Sequence, residues 1–250
     1  MYPRKKIYKD YEGRIDPFKI VGNVYFTGTY QESSHLINTT DGLILIDAGD
    51  HNTLYLIVES IWELGFKPGD IKYIINTHWH KDHTGGTDAL SKITGAKKVI
   101  GEYDAGYVID LGLFTPDILV NDGDVLELGN TKIRFMHTPG HTKGAISVFF
   151  DVEENGQTYR VGMFGGAGAN SLVPECKTYY EGAREDYLNS VERLMNEKVD
   201  VFIGNHCWNN NTDGKAEILK HGENNPFIDS NEWQKFLLFC HRRCENLIYN

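Results

Sequence analysis

Three histidines and one aspartate fall within six residues of this 250-residue chain, in the segment His78-Trp79-His80-Lys81-Asp82-His83. The segment follows residues 71–75, an apolar run of strand length. Imidazole nitrogens and a carboxylate are the ligands that a catalytic zinc ion uses. His78 and His80 are two residues apart and can point the same way, whereas Asp82 and His83 lie on the next turn and can face a second ion. A loop of solvated histidines is the alternative, and the spacing favours metal ligands.

Two other histidines follow predicted strands further along the chain. His141 comes after the sharp turn Pro139-Gly140, and His206 follows Gly204-Asn205. Taken alone, each is explained by a single structural hydrogen bond. Together with the cluster they form a set, because strand-to-loop junctions deliver side chains to a common rim.

The elements that must position these residues form two blocks. Periodicity predicts strands at residues 24–26, 34–37, 43–47 and 71–75, and then at 98–100, 124–128, 132–136, 145–151, 159–164 and 199–204. Helices are predicted at residues 52–64, 87–93, 183–197 and 232–246. The pattern predicts an α/β fold with two packed sheets and helices outside. No repeat or linker interrupts the sequence, so we expect one domain over residues 1–250.

Composition excludes several classes of protein. Lys and Arg total 25 against 35 Asp and Glu, a net charge of −10, which argues against nucleic-acid binding. The apolar runs are too short for a membrane span. The basic N-terminus, Met1 to Lys6, is not followed by an apolar stretch of signal-peptide length. We therefore expect a soluble, cytoplasmic protein with a small-molecule substrate.

On these motifs the sequence resembles the metallo-β-lactamase superfamily, from about Ile20 to the last helix. The resemblance implies an αβ/βα sandwich with metal ions at one sheet edge. It also implies two zinc ions per chain. His78, His80 and His141 would bind the first zinc, and Asp82, His83 and His206 the second. Asp47, at the end of a predicted strand, resembles an aspartate that orients a ligand histidine, although a capped turn explains it equally well.

The middle of the chain indicates which branch of the superfamily the sequence resembles. Glyoxalase II and the lactonases carry a bridging aspartate there, and one β-lactamase subclass carries a cysteine ligand, but residues 163–168 contain neither. What remains is similar to the third β-lactamase subclass. That subclass has serines that grip the substrate carboxylate, where this chain has Gly166 and Gly168. A backbone amide, Asn170 or Ser171 could replace part of that grip.

The resemblance implies a hydrolase in which hydroxide held between two zinc ions attacks a carbonyl carbon. Asp82 would orient the hydroxide or accept its proton. A lactam or amide is the first substrate class, with weak β-lactamase activity expected, and a lactone, ester or thioester is the alternative. A mononuclear iron oxygenase or a non-catalytic metal-binding protein is a rival of another class, but six ligands favour two ions. The remaining histidines of interest, expected to be structural or exposed, are His35, His137, His221 and His241.

Overall fold

The computed structural model describes residues 13–222 and 224–248. Within them, two β-sheets contain twelve strands. The first sheet comprises β1 (Phe18–Val21), β2 (Val24–Phe26), β3 (His35–Thr39), β4 (Gly42–Ile46), β5 (Ile71–Asn76), β6 (Lys97–Gly101) and β7 (Ile118–Val120). The second comprises β8 (Val125–Leu128), β9 (Thr131–His137), β10 (Ile146–Glu154), β11 (Gln157–Met163) and β12 (Val201–Phe202).

Both sheets are mixed, which periodicity alone did not reveal. In the first sheet the strands follow chain order, antiparallel from β1 to β4 and parallel from β4 to β7. In the second sheet the order is β12-β11-β10-β9-β8, and only β11 and β12 pair in parallel. The turn between β3 and β4 is tighter than the sequence suggested, because Thr39 pairs with Gly42 and leaves only two residues between them.

Eight helices lie in the described ranges, and the longer ones cover the outer faces of the sheets. They are α1 (Leu54–Glu63), α2 (Lys81–Thr84), α3 (Thr87–Thr94), α4 (Ala105–Asp110), α5 (Ala183–Leu194), α6 (Cys207–Asn210), α7 (Thr212–His221) and α8 (Glu232–Ile248). Ile57 of α1 packs on Leu45 outside the first sheet, and Trp233 of α8 packs on Phe202 outside the second.

The main core lies between the two sheets. Ile44, Ile75, Phe135 and Val148 belong to one buried cluster there, each no more than 1% exposed. This arrangement confirms the predicted αβ/βα sandwich. Sequence periodicity missed six elements, which are β1, β7, α2, α4, α6 and α7. Five of them have six residues or fewer, and α7 contains a glycine that weakens the helical pattern.

The topology brings several strand ends to one edge of the sandwich. The backbone N–H of Ile146, the first residue of β10, donates to the carbonyl of Thr77, just after β5, over 2.9 Å. This bond joins the two sheets at the point where β5 and β9 deliver their following loops. The loops that carry the predicted ligands therefore start close together.

Over residues 13–222 and 224–248, no helix has the length and apolar character needed to cross a membrane. The basic segment Met1 to Lys6 lies outside the described residues. The prediction of one domain over residues 1–250 stays a prediction.

His35 makes the stability of the core depend on pH. Its side chain is 1% exposed, and its Nδ1 atom is buried without a hydrogen-bond partner. Burial lowers the pKa of His35 from 6.5 to about 4. Below pH 6.5 the unfolded chain therefore takes up a proton that the folded chain excludes until about pH 4.

This difference predicts that His35 lowers the free energy of unfolding by about 1.4 kcal/mol per pH unit over that interval. Both metal-free proteins are compared between about pH 7 and about pH 5. Over that range the free energy of unfolding should fall by about 2 kcal/mol less in the His35→Phe variant than in the parent. Urea denaturation at both pH values measures this. The exposed His221→Phe is the control, and equal losses in the parent and the His35 variant would contradict the prediction.

Candidate metal centre

The structure brings the six predicted side chains together as two adjacent groups. The first group contains His78, His80 and His141, and the second contains Asp82, His83 and His206. Within each group the donor atoms lie within 4.8 Å of one another. The rings of His78 and His83, one from each group, have centroids only 4.2 Å apart. The two groups therefore form one centre.

The donor set fits metal ions. The Nε2 atoms of His78 and His80 are buried and have no hydrogen-bond partner. A buried polar atom without a partner costs about 1–3 kcal/mol, so two of them in one small region favour a bound ligand that compensates them. Imidazole nitrogens beside one carboxylate match the preferences of zinc.

The first group is held in the protonation state that binds metal. Burial, reinforced by the neighbouring imidazoles, lowers the pKa of His78 well below its ordinary value, and burial does the same for His141. Burial also lowers the pKa of His80 to about 4, although Asp82 opposes the shift. These three imidazoles are therefore neutral at physiological pH, with lone pairs available for a cation.

The second group contains an ion pair in the metal-free chain. Burial opposes the charge on His83, but the carboxylates of Asp82 and Asp47 outweigh it and raise the pKa of His83 to about 10. Burial likewise opposes ionisation of Asp82, and the charged His83 beside it keeps the pKa of that carboxyl below its usual range. An Asp82 oxygen lies 3.4 Å from Nε2 of His83 and 4.0 Å from Nε2 of His206. A dication at this group would take the place of the imidazolium proton.

Asp47 is linked to one histidine of each group, directly to His83 and through Thr77 to His78. Its Oδ2 atom lies 2.9 Å from Nδ1 of His83 and accepts a hydrogen bond from the Thr77 hydroxyl over 2.9 Å. Its Oδ1 atom accepts from the backbone N–H of Thr77 over 2.8 Å. The Thr77 hydroxyl in turn lies 3.1 Å from Nδ1 of His78. One buried carboxylate thus fixes the orientation of a histidine in each group.

His141 is held by the loop after β11. Its Nδ1 atom donates to the carbonyl of Gly168 over 2.7 Å, and the Ser171 hydroxyl donates to the His141 carbonyl over 2.7 Å. A Cβ on Gly166 would lie 3.0 Å from Cβ of His141, and one on Gly168 would lie 3.1 Å from Cε1 of its ring. The two glycines therefore leave room for the imidazole.

Ser171 lies behind His141 rather than beside the substrate space. It is 0% exposed, so the idea that its hydroxyl grips a substrate carboxylate is wrong. The reason is that its hydroxyl is already engaged with His141. Asn170, by contrast, faces the cleft beside the two groups.

His206 is oriented by contacts that the sequence did not indicate. Its Nδ1 atom hydrogen-bonds to the backbone carbonyl of Gln31, from the loop between β2 and β3. Its ring stacks on that of Trp208, with centroids 4.3 Å apart and planes 8° from parallel. The contact with Gln31 joins segments far apart in the chain, so no local motif could have shown it.

The two groups open into a cleft of about 660 Å³. Four aromatic side chains line it, those of Trp79, Trp208, Phe236 and Phe239. Two cationic side chains, Lys81 and Arg243, line it as well. The cleft suits a small substrate with an apolar part.

The histidines expected to be structural lie outside both groups. His137 Nε2 hydrogen-bonds to the Lys143 carbonyl over 2.7 Å, and His241 lies between two glutamates on the surface of α5 and α8. Sequence reasoning missed Asp104, a buried carboxylate beside the loops of the first group.

Comparison with known proteins defines the family. The sequence profile of the metallo-beta-lactamase superfamily matches residues 27–206 of the chain. The chain belongs to this superfamily, as its motifs suggested. Among solved structures it is similar to BJP-1, a subclass B3 metallo-beta-lactamase of Bradyrhizobium japonicum, with a TM-score of 0.90 and 30% identity over 96% of each chain.

Two other similar proteins have names that give different activities. The chain is 31% identical to a hydroxyacylglutathione hydrolase of Pelagibacter ubique over 57% of its own length and 54% of the relative. It is 28% identical to an N-acyl homoserine lactonase of Bacillus cereus over 68% of its length and 79% of the relative. The chain thus spans about half the length of the hydroxyacylglutathione hydrolases that it matches.

The contacts of Asp47 predict that it strengthens metal binding. Asp47→Asn keeps the shape of the side chain but removes the charge beside His83. We expect zinc affinity to fall by about 10- to 100-fold, as for other partners of ligand histidines. Titration with a chelator measures this, with Asp50→Asn as the matched control because Asp50 only caps the turn at Asn52. Equal affinities for the two variants would count against the role.

Proposed function

We propose that the chain is a zinc-dependent hydrolase of small carbonyl compounds, with two zinc ions per chain. His78, His80 and His141 hold one ion, and Asp82, His83 and His206 hold the other. The observation that carries the proposal is the adjacency of these two groups at the floor of one cleft. Buried Nε2 atoms without protein partners support it further.

When bound, the two zinc ions supply a Lewis acid and lower the pKa of bound water to near 7, so that a nucleophile exists at neutral pH. The remaining requirements fall to the protein. Asp47 fixes His83 directly and His78 through Thr77, and Gly168 fixes His141, so the ligands are ordered before substrate arrives. Trp79 and Trp208 line the cleft into which the two groups open.

Asp82 is the proposed proton acceptor. It supplies the only carboxylate of the two groups and lines the cleft, with 43% of its side chain exposed. From this position Asp82 can accept a proton from the attacking water or orient that water by a hydrogen bond. No serine or cysteine nucleophile is required.

A lactam or amide is the proposed first substrate class. The nearly full-length similarity to a subclass B3 β-lactamase supports it, as does the composition of the second group, which contains no cysteine. Efficiency should be low, because Gly166 and Gly168 offer no hydroxyl to a substrate carboxylate. A charge-assisted hydrogen bond contributes about 1.5–3 kcal/mol, so losing one costs roughly 10- to 150-fold in transition-state binding, and losing two costs more.

A thioester or lactone is the second candidate. The similarity to a hydroxyacylglutathione hydrolase and to a homoserine lactonase favours it. Both reactions need the same activated water and the same polarised carbonyl. Phe236 and Phe239, on the α8 side of the cleft, also suit an apolar acyl group.

Variants of one ligand from each group test the metal centre. His141→Ala and Asp82→Asn should each lower kcat by at least about a hundredfold, while circular dichroism stays unchanged, because both lie at the rim of the fold. His137→Ala, at the end of β9 just before the His141 loop and outside the groups, is the matched control. Near-parental turnover in the Asp82 variant would remove Asp82 from the mechanism.

A steady-state substrate panel tests the substrate class. Zinc-loaded protein would be assayed on a penicillin, a cephalosporin, a carbapenem, an S-acyl glutathione and an N-acyl homoserine lactone. We expect weak β-lactam hydrolysis with high KM and higher efficiency on another carbonyl substrate. An efficiency of about 10⁶ M⁻¹s⁻¹ or more on a β-lactam, well inside the range of evolved enzymes, would show that the glycines do not limit the reaction.

A further inference from the structure

A buried carboxylate, that of Asp104, lies between the two loops that carry the first metal group. Asp104 ends the short 3₁₀ helix Glu102–Asp104 after β6 and is 0% exposed. Its Oδ2 atom accepts hydrogen bonds from the backbone N–H of Trp79 over 3.0 Å and from the Thr142 hydroxyl over 2.7 Å. Its Oδ1 atom accepts from the backbone N–H of Gly144 over 2.7 Å.

The positions of these donors matter more than their number. Trp79 stands between His78 and His80, and Thr142 directly follows His141. One carboxylate therefore links the segment that carries two histidines of the first group to the loop that carries the third. No residue of the second group is adjacent in the sequence to a residue that donates to Asp104. The nearest one, Asp82, is three residues beyond Trp79.

The backbone is built for this contact. A Cβ on Gly144 would lie 2.2 Å from the backbone nitrogen of Asp104, and one on Gly101 would lie 2.1 Å from the carbonyl oxygen of Gly144. No side chain fits at such distances, so glycine is required at both positions. The His141 loop thus lies directly against the backbone at the end of β6.

The stability of the fold alone does not favour a buried carboxylate at position 104. Among residues 13–222 and 224–248, no Lys or Arg forms an ion pair with Asp104. Burying a charge without an opposite charge is costly, and an apolar side chain often serves a fold equally well. What the carboxylate adds is a fixed geometry for three donors on two separate loops.

We propose that Asp104 is the positioning residue of the first metal group, setting the distance and orientation of His141 relative to His78 and His80. The inference rests on the proposed function, because it assigns Asp104 a role in holding that group's metal. It differs from the role of Asp47, which bonds to a ligand imidazole itself. Asp104 acts through the backbone and the hydroxyl next to the ligands.

Two threonines on the His141 loop provide a matched test. Thr142→Val and Thr138→Val each remove one buried hydroxyl, but the Thr138 hydroxyl bonds to Ser147 and not to Asp104. We expect Thr142→Val to weaken one of the two zinc-binding steps about tenfold and to leave the other unchanged. Thr138→Val should leave both steps unchanged, and Thr142→Ser, which keeps a hydroxyl, should restore parental binding.

The measurement is a titration of zinc alone against a chromophoric chelator, with the melting temperature of the metal-free protein recorded beside it. Asp104→Asn should weaken the same step more than Thr142→Val does. Equal effects of the two Val variants on zinc binding, or loss in both steps at once, would overturn the inference in favour of a purely structural role.

If the parent binds no zinc, the proposed function itself fails. If the parent binds two ions and Thr142→Val does so equally tightly, only the inference fails.

Discussion

The concentration of imidazoles at one edge of the sandwich constrains the rest of the structure. His78, His83 and His141 are each at most 6% exposed, and the Nε2 atom of His78 has no hydrogen-bond partner. Holding these rings close together costs desolvation and, when any is protonated, charge repulsion. The surrounding hydrogen bonds keep the rings in place, and a cation would complete them.

Two buried aspartates hold the site in different ways. Asp47 bonds to a ligand ring and to the residue before another ligand, so it fixes orientation. Asp104 bonds to groups adjacent to ligands on two loops, so it fixes spacing. Asp47 directly follows β4, and Asp104 ends the 3₁₀ helix that follows β6, so strands of the first sheet place both residues. The precision of the centre thus follows from sheet topology as well as from the ligands themselves.

Sequence predicted the parts of this arrangement that are local. The histidine cluster after β5 combines six adjacent residues, and the strand before it has a clear apolar run, so both were visible. The sandwich followed from two blocks of strands and from the family resemblance. Asp104 could not be recognised, because its donors are Trp79, Thr142 and Gly144, and only the fold brings them to it. The same holds for Gln31 behind His206 and for Ser171 behind His141.

The glycines after β11 show how one feature can have two consequences. Gly166 and Gly168 leave space for the ring of His141, so they help to build the metal centre. The same positions provide no side chain for gripping a substrate carboxylate. Packing of the ligand and recognition of the substrate therefore depend on the same short loop.

The central claim is that two adjacent groups each hold one metal ion. Elemental analysis of protein purified without added metal, set against protein concentration, tests it most directly. The account predicts about two zinc ions per chain in the parent and about one in His206→Ala, which keeps the first group intact. One iron and no zinc per active chain, or the same metal content in the parent and the variant, would contradict it.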